Sequence, residues 1–170
     1  VDTDSGLRAR RLLPGPAGIG QVEVDMGEPS VFPQISIPLM ELTYSVMPVS
    51  MGNPHCILFC PHPEEIALDV LGPALERHPV LPDRTNVEFV AVEGDQLRLR
   101  VWERGSGETL ACGTGACAAL AAAHFLGLCP PEVTALLPGG SLVLSLDTAS
   151  GHIRMTGPAV TVFEGEWPGG

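Results

Sequence analysis

Short apolar stretches separated by glycine and proline dominate the sequence, and they predict a fold rich in strands. Apolar and polar residues alternate across 86–93 and again across 96–102, on either side of Gly94-Asp95, a pattern typical of a β-hairpin. Glycine and proline, with 20 and 17 residues, mark the ends of the remaining stretches. The other predicted strands are 21–26, 41–49, 55–60, 133–137, 141–147, 152–156 and 159–164.

Two segments follow the helical period instead. Residues 63–78 begin with acidic side chains and predict an amphipathic helix. Its apolar stripe is formed by Ile66, Val70, Leu71, Ala74 and Leu75. Residues 114–127 are almost wholly apolar and small, which predicts a helix buried on all sides that ends at Gly127, before Pro130-Pro131. A helix of small residues among many strands predicts an α+β fold, with the sheet curled around this central helix.

The length and composition are those of one compact domain. The chain has 170 residues, 45% apolar and 17% charged, which indicates a globular rather than a disordered protein. The longest apolar run, 118–128, is too short to span a bilayer and contains His124. We expect no signal peptide. Since the first residue is Val1 rather than Met, we also expect an N-terminal piece to be absent.

The charged residues exclude several kinds of chemistry. A formal net charge of −11 disfavours nucleic acid as a partner, because binding phosphates needs a basic patch. All nine basic residues are arginine. Without lysine the chain has neither the Schiff-base group that pyridoxal phosphate needs nor the lysine of a P-loop.

The five cysteines form no CxxC pair, and a disulfide framework is not expected in a chain of this size. Cys56 and Cys60 lie close to His55 and His62, which raises the question of a metal site. In a strand, however, positions 56 and 60 face one side and position 55 faces the other. We therefore favour two core thiols and predict no metal.

Cys112 is the strongest candidate for a functional residue. It directly precedes Gly113-Thr114-Gly115 and the apolar helix. A helix N-terminus offers unpaired amides and a partial positive charge, so the position predicts a lowered thiol pKa and a nest of amides for a carboxylate. The alternative is a buried core cysteine, with the glycines serving only the turn.

Other polar residues fit the recognition of an amino acid. Glu103 and Arg104 end a predicted strand, and they can hold an ammonium and a carboxylate, respectively. Asn53 and His55 in "MGNPHC", together with Asn86, add groups that donate and accept hydrogen bonds. The alternatives are a solvated surface pair, turn-forming asparagines and a structural histidine.

Together these motifs resemble the diaminopimelate epimerase family. The residues that carry the resemblance are "GNPH" (52–55), "RTNVEF" (84–89) and "ERGSGETLACGTGACA" (103–118). Supporting matches are "TDSG" (3–6), "VDMGEP" (24–29) and "TGPAVTVFEGE" (156–166), so the similarity runs from Val1 to about Trp167. The resemblance implies a mixed, mostly antiparallel sheet around the buried helix.

The resemblance also implies a reaction: cofactor-independent epimerisation of LL- to meso-diaminopimelate by two cysteines on opposite faces of the α-carbon. Cys112 matches one of them, and Gly113 and Thr114 match residues whose amides hold the α-carboxylate. His55 and Glu103 match positions that tune the cysteine pair. The residues matched to the distal end of the substrate are Asn53, Asn86, Glu103 and Arg104. A role in lysine biosynthesis in the cytoplasm follows from the same resemblance.

One feature of the family is absent from this sequence. The second catalytic cysteine lies in an N-terminal "CGNG"-type motif, and no such motif occurs in the 170 residues. We therefore interpret residues 1–170 as a single C-terminal domain of this family that is inactive without the N-terminal half. The last strand, about 159–166, is a candidate member of that other domain, and a homodimer is a candidate assembly.

Three alternatives remain open. The chain can be a related amino-acid racemase, since proline racemases and phenazine-pathway isomerases share the expected fold. It can be a Cys/His hydrolase with Cys112 as nucleophile and His55 as base. It can also be a ligand-binding domain without catalysis, although retention of Cys112, Glu103 and Arg104 argues against this.

Overall fold

A computed structural model describes residues 2–3, 6–7, 10–13, 20–81, 83–160, 162 and 165 of the chain. Within these residues, 12 strands form one sheet, two short strands form a separate ribbon, and two α-helices are present. The strands are β1 (Asp2–Thr3), β2 (Gly6–Leu7), β3 (Arg10–Leu13), β4 (Gly20–Gly27), β5 (Ser30–Val31), β6 (Ile35–Leu39), β7 (Leu42–Ser50), β8 (Pro54–Phe59), β9 (Asn86–Glu93), β10 (Gln96–Glu103), β11 (Gly107–Thr109), β12 (Glu132–Leu137), β13 (Gly140–Leu146) and β14 (Ile153–Ala159). The helices are α1 (Leu68–Glu76) and α2 (Gly113–Phe125).

The sheet is mixed and mostly antiparallel, as predicted. Its order is β3-β4-β14-β13-β12-β10-β9-β8-β7-β5, with β11 paired to β10 and β6 to β7. The pairs β8–β9 and β10–β12 are parallel, and the other pairs are antiparallel. The hairpin predicted around Gly94-Asp95 is confirmed, with Glu93 opposite Gln96.

The parallel pair β8–β9 positions the polar residues that the sequence singled out. Its register sets His55 opposite Asn86 at the start of both strands. Because β10 runs antiparallel to β9, β10 ends at Glu103 beside the residues where β9 starts. Residues separated by about 50 positions in the sequence therefore meet at one end of the sheet.

The central strands bury both of their faces. Ile57 and Val90 belong to a core that includes α2, whereas Cys56, Leu58 and Phe89 belong to a second core that includes Leu68 and Leu75 of α1. Strands covered by a helix on each side need apolar residues at successive positions, which explains the continuous run in "HCILFC". The predicted alternation is confirmed, because Cys60 packs against the same core as Cys56.

Helix α2 corresponds to the predicted segment 114–127, but it begins one residue earlier and ends at Phe125, two residues before Gly127. Its residues Gly115–Ala123 are buried, and it contacts β5, β7, β8, β9, β10, β13 and β14. Burial on all sides is wrong for its last turn, since Phe125 is 65% exposed. In the described part of the chain, neither helix combines the length and apolar content that a membrane crossing requires.

The predicted helix 63–78 is shorter in the structure. Residues Pro63–Glu65 form a 3-10 turn, and Ile66 then adopts an extended conformation (φ −69°, ψ 132°) that ends it. Helix α1 starts only at Leu68, so its buried face differs from the predicted stripe: Gly72 and Glu76 are buried, whereas Val70 is exposed. Gly72 lies so close to Trp102 that a Cβ there would fall 2.5 Å from the indole ring.

The two predicted strands 152–156 and 159–164 are also corrected. The chain continues through Gly157-Pro158 as the single strand β14, which pairs with β13 and β4. Val160 and Val162 are not in a strand. The sequence predicted a strand over 159–164 and a last strand over about 159–166 as part of another domain. Residues 161, 163, 164 and 166 of these segments lie outside the described residues.

Candidate active site

The site lies where α2 begins, beside the end of the sheet at which strands β8 and β9 start. Cys112 is the N-cap residue of α2, with extended dihedral angles (φ −136°, ψ 105°). Its sulfur accepts a hydrogen bond from the Gly115 N–H at 3.4 Å and lies 3.5 Å from the Thr114 hydroxyl. Helix geometry leaves the amides of Gly113 and Thr114 without partners within the helix. The predicted position of the thiol at a helix N-terminus is therefore confirmed.

The predicted lowering of the Cys112 pKa is wrong. Burial raises the pKa of this thiol to about 11, since the residue is only 7% exposed. The hydrogen bonds from Thr114 and Gly115 lower it, while Glu88 and Glu103 raise it further where they are ionised. The cost of burying a thiolate thus outweighs the attraction of the helix N-terminus. In this chain Cys112 is a protonated thiol at neutral pH.

The raised pKa predicts a steep dependence of Cys112 reactivity on pH. Only the thiolate attacks an alkylating reagent, so the rate of Cys112 modification by iodoacetamide is expected to rise about tenfold for each pH unit. The rise should continue until the thiol titrates at about pH 11. Peptide mapping by mass spectrometry separates Cys112 from the other cysteines. A plateau between pH 7 and 8 would contradict the prediction, because it would mean that the helix amides outweigh burial.

Four of the predicted residues lie in one hydrogen-bonded chain. His55 Nε2 lies 3.2 Å from Asn53 Oδ1, and Asn53 Nδ2 donates to the Thr114 hydroxyl at 3.3 Å. That hydroxyl is the one beside the Cys112 sulfur. The other ring nitrogen of His55, Nδ1, lies 2.6 Å from Glu88 Oε1. Both ring nitrogens of His55 are therefore engaged away from Cys112.

Glu88 is part of the site and was missed from the sequence. It is fully buried, and burial raises the pKa of its carboxyl group, whereas the contact with His55 lowers it. A Cβ on Gly115 would fall 2.6 Å from Glu88 Oε1, so this glycine allows the carboxyl group to approach the first turn of α2. The available signal was a single acidic residue inside the apolar strand "NVEFVAV".

Asn86 and Glu103 are engaged by neighbouring protein groups. Asn86 donates to the Pro54 carbonyl at 2.9 Å and accepts from the Arg104 N–H at 2.9 Å, which ties the first residue of β8 to the turn after β10. Glu103 accepts a hydrogen bond from the Thr109 hydroxyl at 2.6 Å. The exposed guanidinium of Arg104 donates to the Asp83 carbonyl at 3.0 Å instead of pairing with Glu103.

Glu76 at the end of α1 holds the turn after β10, and it was not identified from the sequence. Its carboxylate is 1% exposed and accepts hydrogen bonds from Trp102 Nε1 at 2.8 Å and from the Gly105 N–H at 2.9 Å. It also forms an ion pair with Arg84. Burial raises the pKa of Glu76, but these three donors outweigh burial and hold the pKa below its ordinary value. Glu76 thereby fixes the turn that carries Arg104.

Comparison with known sequences gives one consistent family. The sequence model for diaminopimelate epimerase matches residues 47–162. A diaminopimelate epimerase from Thermosynechococcus vestitus is 46% identical over 189 aligned positions, which cover 99% of this chain. One from Bacteroides thetaiotaomicron is 43% identical over 170 positions and also covers 99% of the chain. The chain spans 65% and 63% of the lengths of these two relatives.

Solved structures show the same fold at low sequence identity. A hydroxyproline epimerase from Agrobacterium vitis, solved with trans-4-hydroxy-L-proline, matches 94% of this chain and 57% of its own, with a TM-score of 0.70 and 17% identity. A predicted epimerase from Pseudomonas aeruginosa matches 92% of this chain and 64% of its own, with a TM-score of 0.63 and 18% identity.

Proposed function

Because the chain belongs to the diaminopimelate epimerase family, we propose that it contributes one half of the active site of a cofactor-independent epimerase that converts LL- to meso-diaminopimelate. The observation that carries the proposal is the position of Cys112 at the N-terminus of a buried helix. Its sulfur accepts a hydrogen bond from the Gly115 N–H and lies beside the Thr114 hydroxyl. Cys112 removes or delivers the α-proton on one face of the substrate carbon.

The neighbouring residues have complementary roles in this proposal. The amides of Gly113 and Thr114 bind the α-carboxylate and stabilise the negative charge that develops as the α-proton leaves. His55 and Glu103 tune the thiol. The residues that hold the distal end of the substrate are Asn53, Asn86, Glu103 and Arg104. A bound carboxylate satisfies helix amides that α2 leaves without internal partners.

A second acid/base group is required, because inversion needs proton transfer on both faces of a planar intermediate. We propose that it is a cysteine in a part of the protein outside this sequence, since the relatives are longer than the chain. In this interpretation residues 1–170 are the C-terminal domain, with α2 enclosed by the sheet, and are inactive alone. The role in lysine biosynthesis, a cytoplasmic location and a homodimeric assembly belong to the same proposal.

The engagement of His55 does not favour a Cys/His hydrolase. A general base must lie within hydrogen-bonding reach of the proton that it removes. His55 directs Nε2 to Asn53 and Nδ1 to Glu88. A protonated thiol that delivers its proton to the α-carbon needs no such base beside it.

Exchange of the α-hydrogen with solvent tests the proposal. Diaminopimelate is incubated in D₂O with this chain alone, and then with the chain plus the separately produced segment that completes the length of the relatives. Deuterium uptake at the α-carbon, followed by NMR, is expected only when both parts are present. Uptake with this chain alone would overturn the two-part site, and no uptake in either sample would overturn the proposed reaction.

A further inference from the structure

The Glu88–His55 pair is a buried element of the site, and Glu88 has no role in the reaction described above. Both side chains are fully buried, and Glu88 Oε1 lies 2.6 Å from His55 Nδ1. The pair touches α2 at Gly115, where a Cβ would clash with Oε1. It thus lies behind the helix turn that carries the Cys112 thiol.

The hydrogen-bond partners determine how many protons the pair holds. Asn53 directs its amide nitrogen to Thr114, so the oxygen that it presents to His55 can only accept, and His55 Nε2 must donate. The 2.6 Å contact at Nδ1 joins two acceptors unless a second proton lies between them. His55 with Nε2–H, the Glu88 carboxylate and this shared proton sum to zero charge.

We propose that Glu88 is a positioning residue for Cys112. Together with His55 it forms a neutral pair that holds one shared proton and fixes the imidazole as an Nε2–H donor. Asn53 accepts from this donor, its amide nitrogen donates to Thr114, and the Thr114 hydroxyl is left to donate to the Cys112 sulfur. The proposal deepens the proposed function, since it takes Cys112 as the reacting thiol.

Burial supports a neutral pair. A net charge at a site with no solvent exposure is costly, and burial raises the pKa of Glu88. The Cys56 N–H lies close enough to the Glu88 carboxyl group to lower its pKa, but Oε2 has no partner of normal hydrogen-bond geometry among the residues that the structure describes. An unpaired carbonyl oxygen of a carboxylic acid costs less free energy than an unpaired oxygen of a carboxylate. The uncharged form therefore fits its surroundings best.

The state of His55 is measured by ¹⁵N NMR of this chain labelled at the imidazole nitrogens, without substrate. We expect a protonated Nε2, and we expect it to persist in Glu88→Gln, because the glutamine amide can donate to Nδ1 in place of the shared proton. In Glu88→Leu Nδ1 loses its partner and only the contact of Nε2 with Asn53 still holds the ring, so we expect a mixture of tautomers. A protonated Nδ1 with an unprotonated Nε2 in the unaltered chain would overturn the proposal.

Alkylation of Cys112 at one fixed pH tests the far end of the hydrogen-bonded chain. Glu88→Gln leaves the charge of the pair unchanged, so the rate at Cys112 is expected to stay within about twofold of the unaltered chain. In Glu88→Leu the Thr114 hydroxyl loses its orientation toward sulfur, and we expect a decrease of about fivefold, the effect of one net hydrogen bond. If Glu88 instead carried a lone negative charge, both variants would be alkylated faster, which would overturn the proposal.

Controls separate positioning from general effects on stability. Glu93→Gln changes a carboxyl group of the same strand that is exposed and pairs with Arg98, so it should leave the His55 spectrum and the Cys112 rate unchanged. Circular dichroism of Glu88→Gln confirms that the fold is retained. Since neither readout uses diaminopimelate, failure of this proposal is distinguishable from failure of the proposed reaction, which the deuterium experiment tests.

Discussion

Replacing Glu76 with leucine is expected to lower the free energy of unfolding by about 2–4 kcal/mol, because the change leaves several buried donors without an acceptor. The Trp102 indole N–H and the Gly105 N–H both donate to this carboxylate, and Arg84 forms an ion pair with it. Leucine has a similar volume but accepts no hydrogen bond. Urea denaturation followed by tryptophan fluorescence measures the change.

The contribution of Glu76 also depends on pH in a defined direction. Its pKa is lower in the folded protein than its ordinary value, so its stabilising effect is present above the ordinary carboxyl pKa. The effect is lost as the pH falls through the folded value, and the difference between the unaltered chain and Glu76→Leu should shrink below about pH 4.

Glu65→Leu is the matched control for the Glu76 prediction. Glu65 is exposed in the 3-10 turn that precedes α1, and its replacement should change stability by less than about 0.5 kcal/mol. Hydrogen exchange adds a local test, because the Gly105 amide is expected to lose protection in Glu76→Leu. Equal stability of the two leucine variants would show that Glu76 does not hold the turn after β10.

Periodicity predicted the position of several elements, although the polar positions Asn86 and Glu88 of β9 are buried rather than exposed. The alternation in 86–93 and 96–102 gave the β9–β10 hairpin, and the small apolar residues of 114–127 gave the buried helix α2. It failed at 63–78, where the apolar spacing continues through Ile66 although the backbone there is extended. The spacing of apolar residues shows which side chains can face the core, but it does not show where the backbone stops being helical.

Glu76 and Glu88 show why part of the site could not be predicted. Each has partners that are distant in the sequence, with Trp102 26 residues from Glu76 and His55 33 residues from Glu88. In the sequence, Glu76 resembles a polar residue at a helix end, and Glu88 resembles the polar position of a half-buried strand. Only the pairing of β8 with β9 and the packing of α1 reveal their partners.

The pKa of Cys112 illustrates the same limit in energetic terms. The sequence correctly predicted a helix N-terminus, whose amide and hydroxyl groups favour the thiolate. It could not supply the extent of burial, which acts in the opposite direction and is larger. A thiol that is protonated at rest is suited to deliver a proton, and it becomes a base only when deprotonated.

Replacing Cys112 with alanine is expected to abolish α-hydrogen exchange of diaminopimelate in the sample that contains this chain and the completing segment. One positioned acid/base group contributes about 10²- to 10⁴-fold to the rate, so exchange should fall by at least the lower of these factors.

Cys129→Ala is the matched control for the Cys112 prediction, because Cys129 is also buried but lies beyond the opposite end of α2. Since the hydrogen bond to His124 uses the backbone carbonyl of Cys129, the alanine variant keeps it and should retain exchange. Circular dichroism and substrate binding by calorimetry establish that Cys112→Ala is folded and still binds. Undiminished exchange in this variant would assign proton transfer to another group. Loss of exchange in both variants would point to a general effect on α2. Only Cys112 is proposed to transfer a proton, so a specific effect should appear in Cys112→Ala alone.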